Sequence, residues 1–498
     1  NGAVARAVRG CGLRDGGQEE EAPMVEEYRS LIGGEWRPTK ESYEIKSPYS
    51  QEVVAVVARP DLDDAVDAVE GAHRAYETTR ALPSWKRAEI LRAIAEGIKA
   101  RHEEFARTIA LEAGKPIKQA RSEVSRAVNT FWVAMEESKR IEGELMTLDW
   151  IEGHENRLGL VRRFPVGPML GISPFNFPLN LVAHKVAPVI AVGAPLIIKP
   201  ATQTPLSSLK LGEVVLEAGW PPEAFSVLPC SGPVAEGILH DERIKKLTFT
   251  GSPEVGWHLK ALAPKKRVTL ELGGNAGVVA HSDIDIPFVA RRCRLGAFAY
   301  AGQICISVQR IFIHEPIYEG FMEQFLDEVN QIVVGDPLDE ATEVGPLIDL
   351  TAAARLEEWV AEALDGGATL LAGGQCQGTV MEPTVLAGVK PQMRVSCLEA
   401  FGPVVTVQPY EDFMEAVRAV NDSIYGLQAG IFTNDLRVVH RAYEVLEVGG
   451  IIVNDVPTYR VDHMPYGGVK ESGFGREGLK YAIEEMTEMR LMVLNLSS

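Results

Sequence analysis

The sequence predicts an α/β protein with a doubly wound parallel sheet, a second α/β unit and a small β-sheet arm. Two observations carry that prediction. Four short runs, Met169-Leu170-Gly171-Ile172, Pro195-Leu196-Ile197-Ile198, Phe225-Ser226-Val227-Leu228 and Lys246-Leu247-Thr248-Phe249, alternate with segments of helical periodicity. Apolar runs of that length read as strands buried on both faces, and strands alternating with helices build parallel sheets. The alternation resumes after Gly274, with strands expected at 310–314 and 451–454. At 498 residues the chain is too long for one ordinary core and long enough for two or three.

Taken in order, residues 1–27 are expected to be a disordered extension. Arg6, Arg9 and Arg14 fit the end of a targeting segment, while Glu19, Glu20 and Glu21 oppose it. A cytosolic location is therefore expected ahead of an organellar one. Leu31-Ile32-Gly33-Gly34-Glu35-Trp36 reads as a hairpin. Apolar residues at spacings of three and four predict helices over 61–79, 85–101 and 115–141. A strand pair is expected within 148–164. Helices over 207–218 and 234–239, and one between 172 and 195, link the four strand runs. The tail Arg490-Leu491-Met492-Val493-Leu494 alternates too weakly to be buried alone. With the 148–164 insert it is expected to form a sheet arm packed on another subunit. The expected division is 28–147 with 167–274 as the first unit, 275–463 as the second, and 148–166 with 464–498 as arm and tail.

Composition excludes several classes. Hydrophobic content of 46% and charge of 24% are those of a globular chain. Fifty basic against 69 acidic residues leave −19, which argues against nucleic-acid binding. The longest apolar stretch, 186–198, is broken by Pro188, Gly193 and Pro195, so no membrane span is expected. The six cysteines, at 11, 230, 293, 305, 376 and 397, show no CxxC pairing and read as reduced thiols. No His, Cys and Asp cluster has ligand spacing, and no metal is expected.

Three residues have the right chemistry to act together. Cys305 follows Gly302 and Gln303, with Ser307 and Gln309 beyond it. A lone cysteine in apolar surroundings is commonly core; in this polar strip it reads as an accessible thiol near a helix start, where backbone N–H groups favour the thiolate. Glu271, between leucines and before Gly273-Gly274, is either a surface strand end or a desolvated carboxylate that takes a proton from water. Asn176, in Pro174-Phe175-Asn176-Phe177-Pro178, is either loop filler or an oxyanion donor. A thiolate, a base and an amide donor suffice to oxidise an aldehyde through a covalent thioester.

In their order, PFNFP, ELGG and FxxxGQxC resemble the aldehyde dehydrogenase superfamily. Further matches are Ile197-Ile198-Lys199-Pro200, Phe249-Thr250-Gly251-Ser252, Glu399-Ala400-Phe401-Gly402-Pro403 and Pro465-Tyr466-Gly467-Gly468. The likeness runs from about residue 28 to the end. It implies a Rossmann-like cofactor domain, an α/β catalytic domain and an oligomerisation arm, assembled as a dimer of dimers. It implies Cys305 as nucleophile, Glu271 as base and Asn176 as oxyanion ligand, with Lys185 and Glu477 at positions tied to proton handling. For the cofactor it implies Gly251 and Ser252 at the pyrophosphate, Lys199 at the adenosine ribose, and Glu399 with Phe401 at the nicotinamide ribose. Ile172, Ser173, Pro174, Phe175, Gly232, Val255 and Leu272 complete the implied cofactor set. Thr202 stands where NAD-preferring relatives carry glutamate. A threonine can donate to a 2′-phosphate that a carboxylate would repel, so NADP is expected ahead of NAD.

Two arginines are expected at the substrate. Arg121 shares a helix face with Val124, Val128 and Phe131, and Arg460 lies in the loop that frames the entrance in the family. Together they suit a carboxylate. Ile304 stands where glyceraldehyde 3-phosphate oxidisers add an arginine, which favours a carboxylate over a phosphate. The whole set is similar to the family-twenty-one dehydrogenases of mosses and lower plants, which implies succinic semialdehyde; glyceraldehyde 3-phosphate and lactaldehyde are the alternatives. His463 reads as a loop histidine, and Asn275, where many relatives have lysine, is given no role.

Overall fold

The computed structural model describes residues 25–497. Residues 1–24, where most of the extension was expected, lie outside the described residues. The remainder of that expectation is corrected: Glu26–Tyr28 is a strand, paired in parallel with Val53–Arg59.

The first sheet runs Gly473–Phe474, Arg267–Glu271, Lys246–Thr250, Met169–Ile172, Leu196–Lys199, Phe225–Val227, Ser30–Ile32, Glu35–Arg37. Its five central strands are parallel. Side chains alternate between two cores: Leu196 and Ile198 join one, Ile197 the other. The chain winds from Met169–Ile172 out to Phe225–Val227, then crosses to Lys246–Thr250 on the other side. The order reverses between Met169–Ile172 and Lys246–Thr250. A crevice beyond the carboxyl ends of the strands belongs at such a point.

The second sheet runs Thr369–Ala372, Thr384–Ala387, Val404–Tyr410, Val308–His314, Ala276–Ala280, Gln428–Phe432, Gly450–Val453. All but the first are parallel. This is the α/β class that the alternation predicts. Gly273 and Gly274 connect the carboxyl end of Arg267–Glu271 to the amino end of Ala276–Ala280, so the carboxyl edge of one sheet meets the amino edge of the other.

Helices Leu62–Ala81, Ser84–Ala100 and Ile117–Glu137 follow the periodicity closely. Asp61 caps the first, reciprocally with Asp64. Helix His102–Ala113 was not expected; Arg101, at φ −104° and ψ 24°, separates it from its neighbour.

The arm joins Glu144–Thr147, Arg157–Pro165 and Thr487–Asn495 in an antiparallel sheet. The strand pair expected within 148–164 is corrected, because its first strand lies before 148. The tail also does more than build the arm: Gly473–Phe474 extends the first sheet, and Leu479–Glu485 is a helix with a buried face. Leu145, Met489 and Leu491 leave the arm's apolar side chains exposed. No helix among the described residues is long and apolar enough to cross a membrane.

Candidate active site

Cys305 lies between the short turn Ala299–Gly302 and the strand Val308–His314. Its position depends on an unusual backbone path. After helix Ile286–Phe298, Tyr300 and Ala301 take φ values of 50° and 51°, and Gly302 follows at 67°. Left-handed conformations cost non-glycine residues energy and persist only where neighbours enforce them. Here the Tyr300 hydroxyl donates to the Ala113 carbonyl at 2.7 Å. At Gly302 a Cβ would stand 2.1 Å from the Gly402 carbonyl oxygen, so only glycine fits. The expectation of a thiol at a helix start is corrected: a strand follows, and the thiol is half-buried. Burial pushes it up to about 11, even though a bond with the Tyr466 hydroxyl at 3.1 Å, and then the Arg460 charge, act to lower it.

Asn176 reaches the same segment. Its Nδ2 donates to the Gln303 carbonyl at 2.9 Å, which leaves its second amide hydrogen free, while Oδ1 is buried without a partner. Glu271 ends its strand 3% exposed, and neither carboxylate oxygen has a hydrogen-bond partner. The backbone passes so close that a Cβ on Gly467 (φ 150°) would lie 2.9 Å from Oε1. Behind it Glu477 accepts from Lys185 at 3.4 Å and from Arg460 at 3.2 Å, and Lys185 also donates to Thr250 at 2.7 Å. Burial and then the Glu477 charge raise Glu271 well above the carboxylate range. Burial works the same way on Glu477, but Lys185 and then Arg460 hold it below. Two neighbouring carboxyls are thus driven apart in proton affinity.

The predicted arginines separate. Arg460 stands in the site, with its guanidinium carbon 3.6 Å over the Tyr466 ring and its Nε buried without a partner. Arg121 does not, and this expectation is corrected. Its guanidinium turns outward to Glu103 at 2.8 Å and Glu340 at 2.7 Å. Arg126, five residues on, faces inward. It lies 3.6 Å from Asp462, and its Nη2 is buried without a hydrogen bond. Burial first, and then the nearby Arg460 charge, lower its proton affinity. Asp462 is fixed by Asn129 at 2.8 Å and His184 at 3.1 Å, whereas His463 is exposed.

The residues expected at the cofactor stand at and beyond the carboxyl ends of the first sheet's strands and on the segments that meet them. Ile172, Ser173, Pro174 and Phe175 leave the end of Met169–Ile172; the Ser173 hydroxyl is buried without a partner, and Phe175 meets Phe401 edge-on at 5.7 Å. Gly251 and Ser252 close Lys246–Thr250, and Ser252 is the N-cap of helix Pro253–Leu262, with Val255 exposed on its first turn. Free N–H groups at such a helix start attract phosphate. A Cβ at Gly251 would strike the Phe249 ring at 2.6 Å. Gly232 opens helix Gly232–His240, and Leu272 is buried. Glu399 accepts from the Gly274 N–H at 2.8 Å; burial raises its carboxyl to about 7, against that bond. Lys199 ends Leu196–Lys199, and Thr202 follows at the rim of a cavity of about 300 Å³ that Tyr43 also lines.

A profile of the aldehyde dehydrogenase family matches residues 36–492. The chain belongs to that family. It is 44% identical over 474 residues to 3-sulfolactaldehyde dehydrogenase of Priestia aryabhattai, covering 95% of this chain and 99% of the relative. Among solved structures, aldehyde dehydrogenase 21 from Physcomitrella patens, in complex with the reaction product succinate, superposes with a TM-score of 0.93 at 43% identity, over 95% of this chain and 99% of that one. Glyceraldehyde-3-phosphate dehydrogenase from Methanocaldococcus jannaschii, complexed with NADP, gives 0.88 at 38% identity, over 92% and 100%.

An aldehyde dehydrogenase works with a nicotinamide dinucleotide, and the helix start at Ser252 with the buried, unpartnered Ser173 hydroxyl suits one. The fit extends to a residue that the sequence reading missed. Arg59, at the end of Val53–Arg59, lies 5.1 Å over the Tyr43 ring, with its Nε and the Tyr43 hydroxyl both buried and unpartnered. Lys199 is lowered by burial and then by the Arg59 charge, which places two cations near one another. Asn275 also gains a structural role in this aldehyde dehydrogenase. Its Nδ2 donates to the carbonyls of Ser396 at 2.7 Å and Leu398 at 3.3 Å, fixing the loop that presents Glu399. Among the described residues no group of His, Cys, Asp and Glu is disposed to hold a metal ion.

Proposed function

We propose that this enzyme oxidises a short aldehyde bearing an anionic group, succinic semialdehyde foremost, to the acid with NADP, NAD being the weaker acceptor. The observation that carries this reading is the pair Arg126 and Arg460: Nη2 of the half-exposed Arg126 and Nε of the buried Arg460 are both buried without a hydrogen-bond partner, and Arg460 stands by Cys305 and Glu271. Buried donors without acceptors are costly, and an anionic substrate would satisfy them.

In this reading the Cys305 sulfur attacks the aldehyde carbon and forms a thiohemiacetal. The free Asn176 amide hydrogen, with the Cys305 backbone N–H, stabilises the oxyanion. The bound nicotinamide supplies the hydride acceptor. Glu271, kept unpartnered, then takes a proton from a water molecule that attacks the thioester, and the acid leaves with the sulfur restored. Lys185 and Glu477 serve as the proton route behind Glu271. Residues 28–147 and 167–274 form the cofactor domain and 275–463 the catalytic domain. The exposed apolar row on the arm supports a homo-oligomer, a dimer of dimers.

Thr202, Lys199 and Arg59 support NADP, since a hydroxyl and two cations suit a 2′-phosphate. A second reading, 3-sulfolactaldehyde, is favoured by the 44% identical relative; its sulfonate presents one charge to the same two arginines. Steady-state assays with both cofactors test these readings on succinic semialdehyde, 3-sulfolactaldehyde, glyceraldehyde 3-phosphate and uncharged lactaldehyde. An anionic aldehyde should exceed lactaldehyde in kcat/KM by about tenfold or more, equivalent to about 1.4 kcal/mol. Equal rates on lactaldehyde would remove the role of the arginines, and the leading anionic aldehyde decides between the two readings.

A further inference from the structure

Tyr466 has no part in the chemistry above, yet its hydroxyl lies 3.1 Å from the Cys305 sulfur. That is the hydroxyl's one hydrogen-bond partner among the described residues. The side chain is fixed in place. Tyr466 is 3% exposed, its N–H and carbonyl both bond the backbone of Glu477, and it packs with Ile306 and Leu427. On the ring face stands Arg460, its guanidinium carbon 3.6 Å from the centroid. With a neutral thiol either atom can donate in the O···S contact. Once the proton has left the sulfur only the phenol can donate, and a hydrogen bond to a charged acceptor is stronger than one to a neutral acceptor. A cation against the ring face further polarises the O–H bond.

We propose that Tyr466 is a catalytic residue: it donates a hydrogen bond that holds the Cys305 thiolate, with Arg460 strengthening the donor, and releases the sulfur as it bonds to the aldehyde. The proposal rests on Cys305 being the nucleophile. In the step, the thiol proton leaves to solvent. The S–C bond forms, and the carbonyl π pair moves onto oxygen. The phenol keeps its proton throughout, and the now neutral sulfur accepts more weakly. The charged and titratable groups facing the sulfur are Tyr466 and Arg460 from the entrance loop, Glu271 from its strand end and Glu399 from the loop before Val404–Tyr410. The two carboxylates disfavour the thiolate, and Arg460 and the Tyr466 hydroxyl oppose them.

The test is the pH dependence of iodoacetamide alkylation of Cys305, followed on its own peptide by mass spectrometry without substrate or cofactor. Tyr466→Phe keeps the ring under Arg460 and removes only the donor. Its alkylation midpoint should move to higher pH by about one unit, with alkylation at neutral pH about tenfold slower. The acid limb of kcat/KM should move in the same direction, with the rate recovering at high pH. A midpoint unchanged from wild type overturns the proposal. Undiminished aldehyde oxidation by Cys305→Ala overturns instead the reading on which it rests. Should Tyr466→Phe unfold, Arg460→Met, measured by the same alkylation, should shift the midpoint in the same direction by less; no shift there overturns the proposal.

Discussion

Glu123 and Glu271 are both buried carboxylates, at 1% and 3% exposure, and they have opposite surroundings. Glu123 is closed. One oxygen bonds the Lys115 ammonium, and the other accepts from the N–H groups of Leu179 at 3.0 Å and Asn180 at 3.1 Å. It thereby caps the helix Asn180–Val192, which carries His184 and Lys185. The Lys115 ammonium also faces the rings of Phe177, at 3.6 Å, and Tyr300, at 4.5 Å, so one network holds both the Asn176 loop and the left-handed turn before Cys305. Glu271 is open, with no partner on either oxygen. Satisfied buried charges fix geometry, whereas an unsatisfied one in a packed site is available for proton transfer.

The two glutamates should therefore fail differently. Glu271→Gln should lower kcat by about a thousandfold, within the range of a lost general base, and leave the acyl-enzyme to accumulate as a mass increment on Cys305. Glu123→Gln should instead destabilise, by about 3 kcal/mol or more, because it strands the Lys115 charge in the interior. Urea unfolding and stopped-flow assays on both variants check this, and equal stability losses would erase the contrast. The pH dependence adds a sign. Glu271 has its folded-state affinity for protons raised, so its ionisation costs stability as pH rises from the unfolded carboxylate value towards the folded one. Deacylation needs the ionised form. Over that window, above the ordinary carboxylate range, wild type should gain deacylation rate while this group's contribution to stability declines. Glu271→Gln should remove both slopes.

Arg126 and Arg121 repeat the contrast on one helix, with smaller effects. Arg121 is closed by Glu103 and Glu340 at the surface, and Arg126 is open beside Arg460. Arg126→Ala should raise KM for an anionic aldehyde by about tenfold to a hundredfold, the range for losing a charge-assisted bond, and leave lactaldehyde unaffected. Arg121→Ala should leave both unchanged. Steady-state kinetics on the two aldehydes decides it, and a raised KM in Arg121→Ala would reinstate the sequence reading.

What was legible follows from the range of the interactions. The parallel strands stand out because each is a short apolar run with its own burial pattern. The motifs around Cys305, Glu271 and Asn176 were legible as family strings, and the geometry brings Asn176 to Gln303 and leaves Glu271 unpartnered. Helical periodicity misled at Arg121. It shares a stripe with Val124 and Phe131, but at the end of that stripe its long side chain reaches surface carboxylates. Arg126, about 140° round the helix, is drawn inward by Asp462, 336 residues away (462 minus 126). No local pattern encodes such a partner. The same holds for Asn275, whose acceptors lie beyond residue 395, and for the short edge strand Gly473–Phe474, recognisable only beside Arg267–Glu271.

Arg59 gives the smallest contrast, and it concerns the cofactor. Arg101 shows what a closed arginine looks like, pairing with Glu213 at 3.0 Å and Glu217 at 2.7 Å. Arg59 has no ion pair or side-chain hydrogen bond among the described residues, and its neighbour Lys199 has none either. The carboxylate on the wall of the adjoining cavity, Glu112, is already engaged by Leu206 at 2.7 Å and Ser207 at 3.0 Å, so it does not neutralise them. On the proposed reading, these two unpaired cations and Thr202 take the 2′-phosphate of NADP, the phosphate that NAD lacks. Arg59→Gln should weaken NADP binding by roughly fivefold to tenfold, the worth of one partly screened charge contact, and leave NAD binding as it was. Fluorescence titration with each dinucleotide, and competition by 2′,5′-ADP at two salt concentrations, measures this without turnover. Equal losses for NAD and NADP would show that Arg59 supports the fold of the crevice instead of reading the phosphate.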